Sequence, residues 1–324
     1  MTIGPPGAVL AVDLGGTTMR AAVVDHEGHL VERCAAPTPQ DERCPEALVA
    51  LVSEVLERHP VAEAVIGVPG RVNYRTGQLE QAPNLPPGWT DALREDALGD
   101  VVGVPVNLAN DADMAAVGEA RFGAGHGFDD VVYVTVSTGV GAGVVLGGQL
   151  ARGSRSLGEI GHTVIDRVAA RREEPATVEE LGSGRSLARS ADAAGLDAEG
   201  ADLVALVVDG DSRAQAVWDE AMHVAGLAVA NLAHLFSPEV VVVGGGVGRS
   251  GDVVLAPVRE LLAAFGPLGL REHISVVTAA LGDDAGLIGA AGWRAATESA
   301  GDNPSGGLSP GSVGPGSGLP RPGR

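Results

Sequence analysis

Residues 9–32 (VLAVDLGGTTMRAAVVDHEGHLVE) and 131–153 (VVYVTVSTGVGAGVVLGGQLARG) share one layout. Each has a β-rich strand, a turn of glycine and hydroxyl residues, a second strand, a glycine-containing turn and a third strand. A three-strand meander that recurs roughly 120 residues later constrains the chain to two similarly built halves that face one another. Helical periodicity at 45–58, 90–99, 177–195, 200–208, 213–236, 252–265 and 284–296 alternates with strands at 61–68, 104–109, 239–243 and 273–279. That alternation makes an α/β protein. Residues 1–109 are read as a small lobe, onto which the last helix packs back, and 110–283 as a large lobe. The Gly/Ser/Pro-rich stretch 297–324 is read as a disordered tail, too poor in apolar side chains to offset its ordering entropy.

The formal charge of −20 argues against nucleic acid or an anionic membrane surface, which need clustered cations. All 22 basic residues are arginine. Schiff-base chemistry and a Walker-type phosphate loop, both of which need lysine, are therefore excluded. No apolar run reaches membrane-spanning length and no leader pattern opens the chain. Two isolated cysteines, Cys34 and Cys44, suit free thiols in a reducing cytoplasm.

Chemistry concentrates in four places. At Asn110-Asp111 a strand-like stretch ends in an amide and a carboxylate just before a helix. Ligands in open α/β sheets usually bind at such strand ends, although Asn-Asp before a helix is more often an N-cap. In DLGGTTMR, Gly15 and Gly16 allow a tight turn, and Thr17 and Thr18 add hydroxyl donors to a row of amides that can cradle an anion. Asp13 at the strand end suits hydrated Mg²⁺. A plain hairpin explains the same glycines. STGVGAG, with Thr138, Gly139 and Gly141, repeats this arrangement in the second half. A third cluster, Gly244, Gly245 and Gly246, lies between a pure β run and a helix, where amides favour anions. It lacks the final glycine of a dinucleotide fingerprint, because Arg249 stands there. Last, Glu159 and His162 in LGEIGH and Glu179 in VEELGSG are acceptors suited to a polyol, with a partly buried structural histidine the alternative for His162.

In family order, DLGGTTMR, GVPGRVNYRTGQLEQAPNLPPGW, NDADMAAVGEARFG, STGVGAGVVLGGQLARG, GEIGH, SPEVVVVGGGV and LGDDAGLIGAA resemble the ROK family of sugar kinases, bacterial glucokinases above all. The resemblance spans Val9 to Arg294. It implies the two-lobed actin/hexokinase-like (ribonuclease H-like) fold, cytoplasmic location, a homodimer, and ATP with Mg²⁺. It makes Asp111 the general base that takes the proton of a hexose's primary hydroxyl, glucose being the best single choice. Asn110, Glu159, His162 and Glu179 would hold ring hydroxyls, joined by Gly70 and Asn84 from the small lobe. The two glycine/hydroxyl turns and Gly244–Gly246 would hold ATP.

One departure stands out. The family usually carries Cys-x-Cys-Gly-x-x-Gly-Cys-x-Glu after the Gly-His pair, whereas this chain has TVIDRVAARREEPATVEE, in which only the final Glu survives as Glu179. One histidine without thiolates is a poor zinc site, so no structural zinc is expected, and a carboxylate or carbonyl should hold the other nitrogen of His162. The altered loop keeps a kinase for an N-acetylhexosamine or a cyclitol in view. ROK repressors carry a helix-turn-helix before this core, for which Asp13 leaves no room. A catalytically silent sugar-binding protein conflicts with the retained Asp111 and phosphate turns.

Overall fold

The computed structural model describes residues 7–41, 44–86 and 88–298, so the stretch read as a tail lies outside the described residues apart from its first two. The first meander is β1 (Val9–Leu14), β2 (Thr18–Val24) and β3 (Leu30–Pro37). It is followed by α1 (Cys44–Leu56), β4 (Glu63–Val68), a ribbon of β5 (Arg71–Asn73) and β6 (Gln78–Gln81), α2 (Trp89–Ala92), α3 (Glu95–Val102) and β7 (Val106–Asn110). Then comes α4 (Asp111–Phe122), which leads to the second meander: β8 (Val131–Val136), β9 (Val140–Leu146) and β10 (Gln149–Leu150). The helices α5 (Arg167–Ala170), α6 (Val178–Gly182), α7 (Gly184–Ala193), α8 (Gly200–Val208) and α9 (Ser212–Phe236) precede β11 (Val240–Gly244). The short α10 (Gly245–Gly248), α11 (Asp252–Phe265), β12 (Ser275–Thr278) and α12 (Ala285–Thr297) complete the order.

The strands form two five-stranded sheets, β3-β2-β1-β4-β7 and β10-β9-β8-β11-β12. In each, the meander is antiparallel and the two later strands join in parallel. The sequence repeat is thus a repeat of topology.

Side-chain alternation assigns the layers. Leu10, Val12 and Leu14 of β1 face Leu48, Val52 and Val55 of α1, whereas Val9 and Ala11 face Leu287, Ala290 and Trp293 of α12. In the second sheet Val132 and Val134 pack with the long α9, and Val131 and Tyr133 with Ala115 and Ala116 of α4. Hence α4 and α12 lie back to back between the sheets. Residues 112–119 of α4 are all buried.

Such burial demands small residues. An ideal Cβ on Gly118 would collide with the Ala285 carbonyl, one on Gly289 with the Met114 carbonyl, and one on Gly143 with that of Ala112. Glu119, with no exposure, turns its carboxylate to the next segment. Its oxygens accept from the amides of Ala124 (2.8 Å), Ala280 (3.0 Å) and Leu281 (2.8 Å), fixing the entry to α12.

Two helical stretches of the sequence are interrupted. Arg94 adopts extended geometry and bridges to Gln78, which divides 90–99 into α2 and α3. Ser183 breaks 177–195 because it caps α7, accepting from the amide of Ser186, while the Gly184 amide donates to the Ser137 carbonyl at 2.7 Å.

Gly289→Ala is expected to lower stability by about 3 kcal/mol, since a methyl group is forced onto a carbonyl in a packed crossing. Gly286→Ala on the same helix meets nothing within 4 Å and should stabilise by up to about 1 kcal/mol. Urea midpoints of the two variants separate this packing effect from helix propensity.

Candidate active site

The corner between β7 and α4 is built as an N-cap. The Asn110 side-chain oxygen accepts from the amides of Ala112 (3.0 Å) and Asp113 (3.2 Å), and its Nδ2 donates to the Gly70 carbonyl at 3.0 Å. Gly70 is glycine because the backbone at Gln81 crosses where a Cβ would lie. The cap leaves Asp111 as the first helical residue, exposed in the space between the sheets. One of its oxygens accepts its neighbour's amide, Ala112, at 2.9 Å. The surrounding protein withdraws the carboxyl from bulk water, and Asp13 and then Asp113 add like charge, so its pKa is raised to about 7. Water still reaches this side chain, which is exposed.

Beneath that corner lies a network that the sequence did not reveal. Asp113 is fully buried. It accepts from the Tyr74 hydroxyl at 2.6 Å and the Ser156 hydroxyl at 3.1 Å. The Tyr74 oxygen in turn accepts the Asn110 amide at 3.0 Å. Tyr74 belongs to the β5–β6 turn and Ser156 to the segment after β10, so the carboxylate joins loops from both halves. Arg155 adds a fork to Glu80 at 2.6 and 2.7 Å, and the Arg152 guanidinium lies 4.9 Å above the Tyr74 ring.

The first glycine turn is a hairpin, closed by the Gly15 amide donating to the Thr18 carbonyl. Its carbonyls are taken up from behind: Thr38 Oγ1 donates to Gly15 at 2.7 Å and Gln40 to Gly16 at 2.8 Å. An ideal Cβ on Gly16 would lie 2.8 Å from the Asn84 carbonyl, so Asn84 sits beside this turn. Thr17 and Thr18 are exposed. Asp13, paired with Arg20 at 3.6 Å, is also raised in pKa, by burial against the pull of Arg20 and with the help of Asp283 and Asp284. Arg249 meets Asp283 at 2.8 Å. The loop before α12 therefore links the third glycine cluster to Asp13.

The second and third clusters adjoin because β8 and β11 are neighbours. Gly244 and Gly245 have packing reasons, since their Cβ atoms would strike the Tyr133 hydroxyl and the backbone of Val136. Gly245 also has φ +83°. A Cβ on Gly246 would have only Ser137 Oγ nearby, at 3.9 Å. Thr138 is exposed, and Gly141 faces Ala112 at ordinary contact distance.

LGEIGH lies along β9. Gly158 and Gly161 pass so close to the carbonyls of Ala142 and Val140 that neither tolerates a Cβ. Burying Ile160 and Gly161 turns Glu159 and His162 outward. His162 is therefore no buried structural histidine. Its ring is not pinned either: the nearest acid, Glu159, is 3.7 Å from Nε2, beyond hydrogen-bond reach. Glu179 accepts from the Val140 amide at 3.0 Å, and its carboxylate occupies the space where a Cβ on Gly139 would fall. A residue read for sugar thus touches the second glycine turn. The stretch that stands in place of the family's zinc motif is closed by its own hydrogen bonds. Asp166 caps α5, Ile165 and Asp166 donate to the Ala176 carbonyl, and Thr177 and Glu180 form a capping box. Among the described residues, the one group of three acids and imidazoles with ligand atoms close together is Asp25, Glu27 and His29, in the β2–β3 turn. No described helix is long and apolar enough to cross a membrane.

The ROK family profile matches residues 9–297. The glucokinase of Streptomyces coelicolor is 33% identical over 311 residues, covering 88% of this chain and 96% of that protein. The N-acetylmannosamine kinase of Escherichia coli O157:H7 is 35% identical over 291 residues, covering 87% and 96%. Among solved structures, a ROK family glucokinase from Streptomyces griseus in complex with glucose and AMPPNP is 33% identical and covers 88% of this chain and 98% of its own, with a TM-score of 0.76. Two lobes of matching topology, glycine turns at equivalent strand junctions and a carboxylate at the corner between them belong together in one family, and the chain is a member of the ROK family with its actin/hexokinase-like fold.

Proposed function

We propose that the protein is an ATP-dependent hexose kinase, with glucose the best single substrate. The observation that carries this is Asp111, an exposed carboxylate at a strand-to-helix corner whose pKa is raised to about 7, with Asp13, at the strand end before the first glycine turn, close enough to add like charge. In the reaction Asp111 takes the proton from the sugar's primary hydroxyl as that oxygen bonds to the γ-phosphorus. The bond to the bridging oxygen breaks, ADP leaves, and Asp111 returns its proton to solvent. Phosphoryl transfer through a loose transition state gains mostly from positioning and charge. Asn110, Glu159, His162 and Glu179, with Gly70 and Asn84, are assigned to the sugar. Asp13, Gly15, Gly16, Thr17, Thr18, Thr138, Gly139, Gly141 and Gly244–Gly246 are assigned to the nucleotide. The lobes are assigned as 1–109 and 110–283.

Asp13, Asp111, Asp283 and Asp284 crowd negative charge at the cleft floor. Their ligand atoms do not converge as a preformed metal cluster, so Mg²⁺ brought by ATP would offset the phosphate charge there with Asp13 holding it through water. The N-acetylmannosamine kinase relative supports a second reading, an N-acetylhexosamine substrate. ADP release with glucose, mannose, N-acetylglucosamine, N-acetylmannosamine and cyclitols distinguishes the two.

Asp111→Asn should lower kcat by about 10²–10⁴-fold, while sugar affinity stays within about tenfold. More than half the activity remaining would remove Asp111 from the role. A base must be ionised to accept a proton, so the wild-type rate should rise with pH through about 7 and level off above it. A flat profile between pH 6 and 8 would contradict the assignment.

Gly246→Val tests the nucleotide side more cleanly than a change at Gly139, whose Cβ would displace Glu179. Its side chain enters open space above Ser137, so the apparent ATP constant should rise about tenfold or more with the glucose constant little changed. A selective loss of sugar affinity would refute the assignment.

The loop after His162 is proposed to work without zinc. It offers no thiolate, and its backbone hydrogen bonds already fix its course. Elemental analysis of protein purified without added metal should find far less than stoichiometric zinc, and zinc-selective chelators used with Mg²⁺ in excess should leave activity intact.

A further inference from the structure

At the C-terminal end of α4, remote from Asp111, a cavity of about 440 Å³ opens between α4, α12 and the turns at His26 and Gly148. Its walls are largely apolar, from Phe122, Phe128, Val145 and Ala295 among others. The titratable side chains that line it are Arg121, His26 and His126, without a single carboxylate. In a chain with 42 acidic residues and a net charge of −20, that is an unusual exclusion.

Arg121 is the informative member. Its Nε is buried and has no hydrogen-bond partner, and no ion pair joins its guanidinium to any described residue. A half-buried cation without a partner is costly. The helix dipole offsets part of that cost, because Arg121 stands in the last turn of α4, but it supplies no acceptor for the N–H. The stem of Arg121 is held in place by close packing over Gly292. His126 Nδ1 donates to the Arg121 carbonyl at 2.7 Å. A carbonyl only accepts, so this nitrogen carries the proton and Nε2 is left for another partner.

We propose that this cavity is a binding site for a small organic anion, a carboxylate or phosphate monoester carried on an apolar body. The anion would take the Arg121 N–H groups, and the body would lie against Phe122 and Phe128. The volume is more than enough to admit a molecule of the size of phenyl phosphate. The site lies about 15 Å along α4 from Asp111, at 1.5 Å per residue, and it is walled by the two helices that join the sheets. Occupancy therefore bears on the α4–α12 crossing and not on the sugar or nucleotide directly.

Isothermal titration calorimetry of the full chain with phenyl phosphate, benzoate and neutral benzyl alcohol tests this, and the two anions tell phosphate from carboxylate recognition. At least one anion should bind at one site, and benzyl alcohol should not. Arg121→Gln should weaken that binding at least tenfold, and Arg121→Lys should restore part of it. Ala295→Phe, which fills the cavity from an exposed position and keeps the charge, should abolish it. All three variants should keep hexose phosphorylation and an unchanged unfolding midpoint. Absence of binding by both anions, equal binding of benzyl alcohol, or undiminished binding in Arg121→Gln and Ala295→Phe would overturn the proposal.

Discussion

The crossing of α4 and α12 is the constraint on which the rest of the molecule depends. Two helices can share the space between two sheets only where their backbones nearly touch, and Gly118 and Gly289 supply the two points of contact. The same pair of helices sets where Asp111 begins, how the loop carrying Asp283 and Asp284 reaches Asp13, and how the sheets stand relative to one another. Glu119 locks this arrangement electrostatically. A buried carboxylate is tolerable there because three amides serve it.

Beneath the corner, Asp113 does a similar task between loops. Its partners come from the β5–β6 turn and from the segment after β10, so the position of Asn110, and through it the direction in which Asp111 emerges, depends on contacts across the two halves. Burial raises the Asp113 pKa to about 7 against the opposing hydrogen bonds from Tyr74 and Ser156. Proton uptake as pH falls toward 4 is therefore favoured in the folded state. This one group adds stability on moderate acidification, opposite in sign to a carboxylate in a strong ion pair.

The duplicated topology was legible in the sequence because strand alternation and glycine turns are local signals, and both recur in order. The glycine clusters were legible as turns, but their reasons differ. Gly244 and Gly245 answer to the packing of Tyr133 and Val136, and Gly246 to open space; only the neighbouring strand reveals which is which. Nothing local marked Asp113 and Glu119 as buried, because their burial arises from segments 39 to 162 residues away. Nothing local marked Tyr74 or Ser156 as partners of Asp113. His162 was legible as a polar residue near the site, whereas its freedom follows from Gly158 and Gly161 pressing the segment onto β9.

One contact reaches further than its size. Glu179 accepts the Val140 amide and leans on Gly139, so on the proposed assignment a group that meets the sugar also braces the backbone that meets the nucleotide. Any ligand that fixes this carboxylate lightens the ordering cost for the other. The coupling free energy is necessarily the same in both directions, so the first substrate to arrive prepares the site for the second by an equal factor in either order.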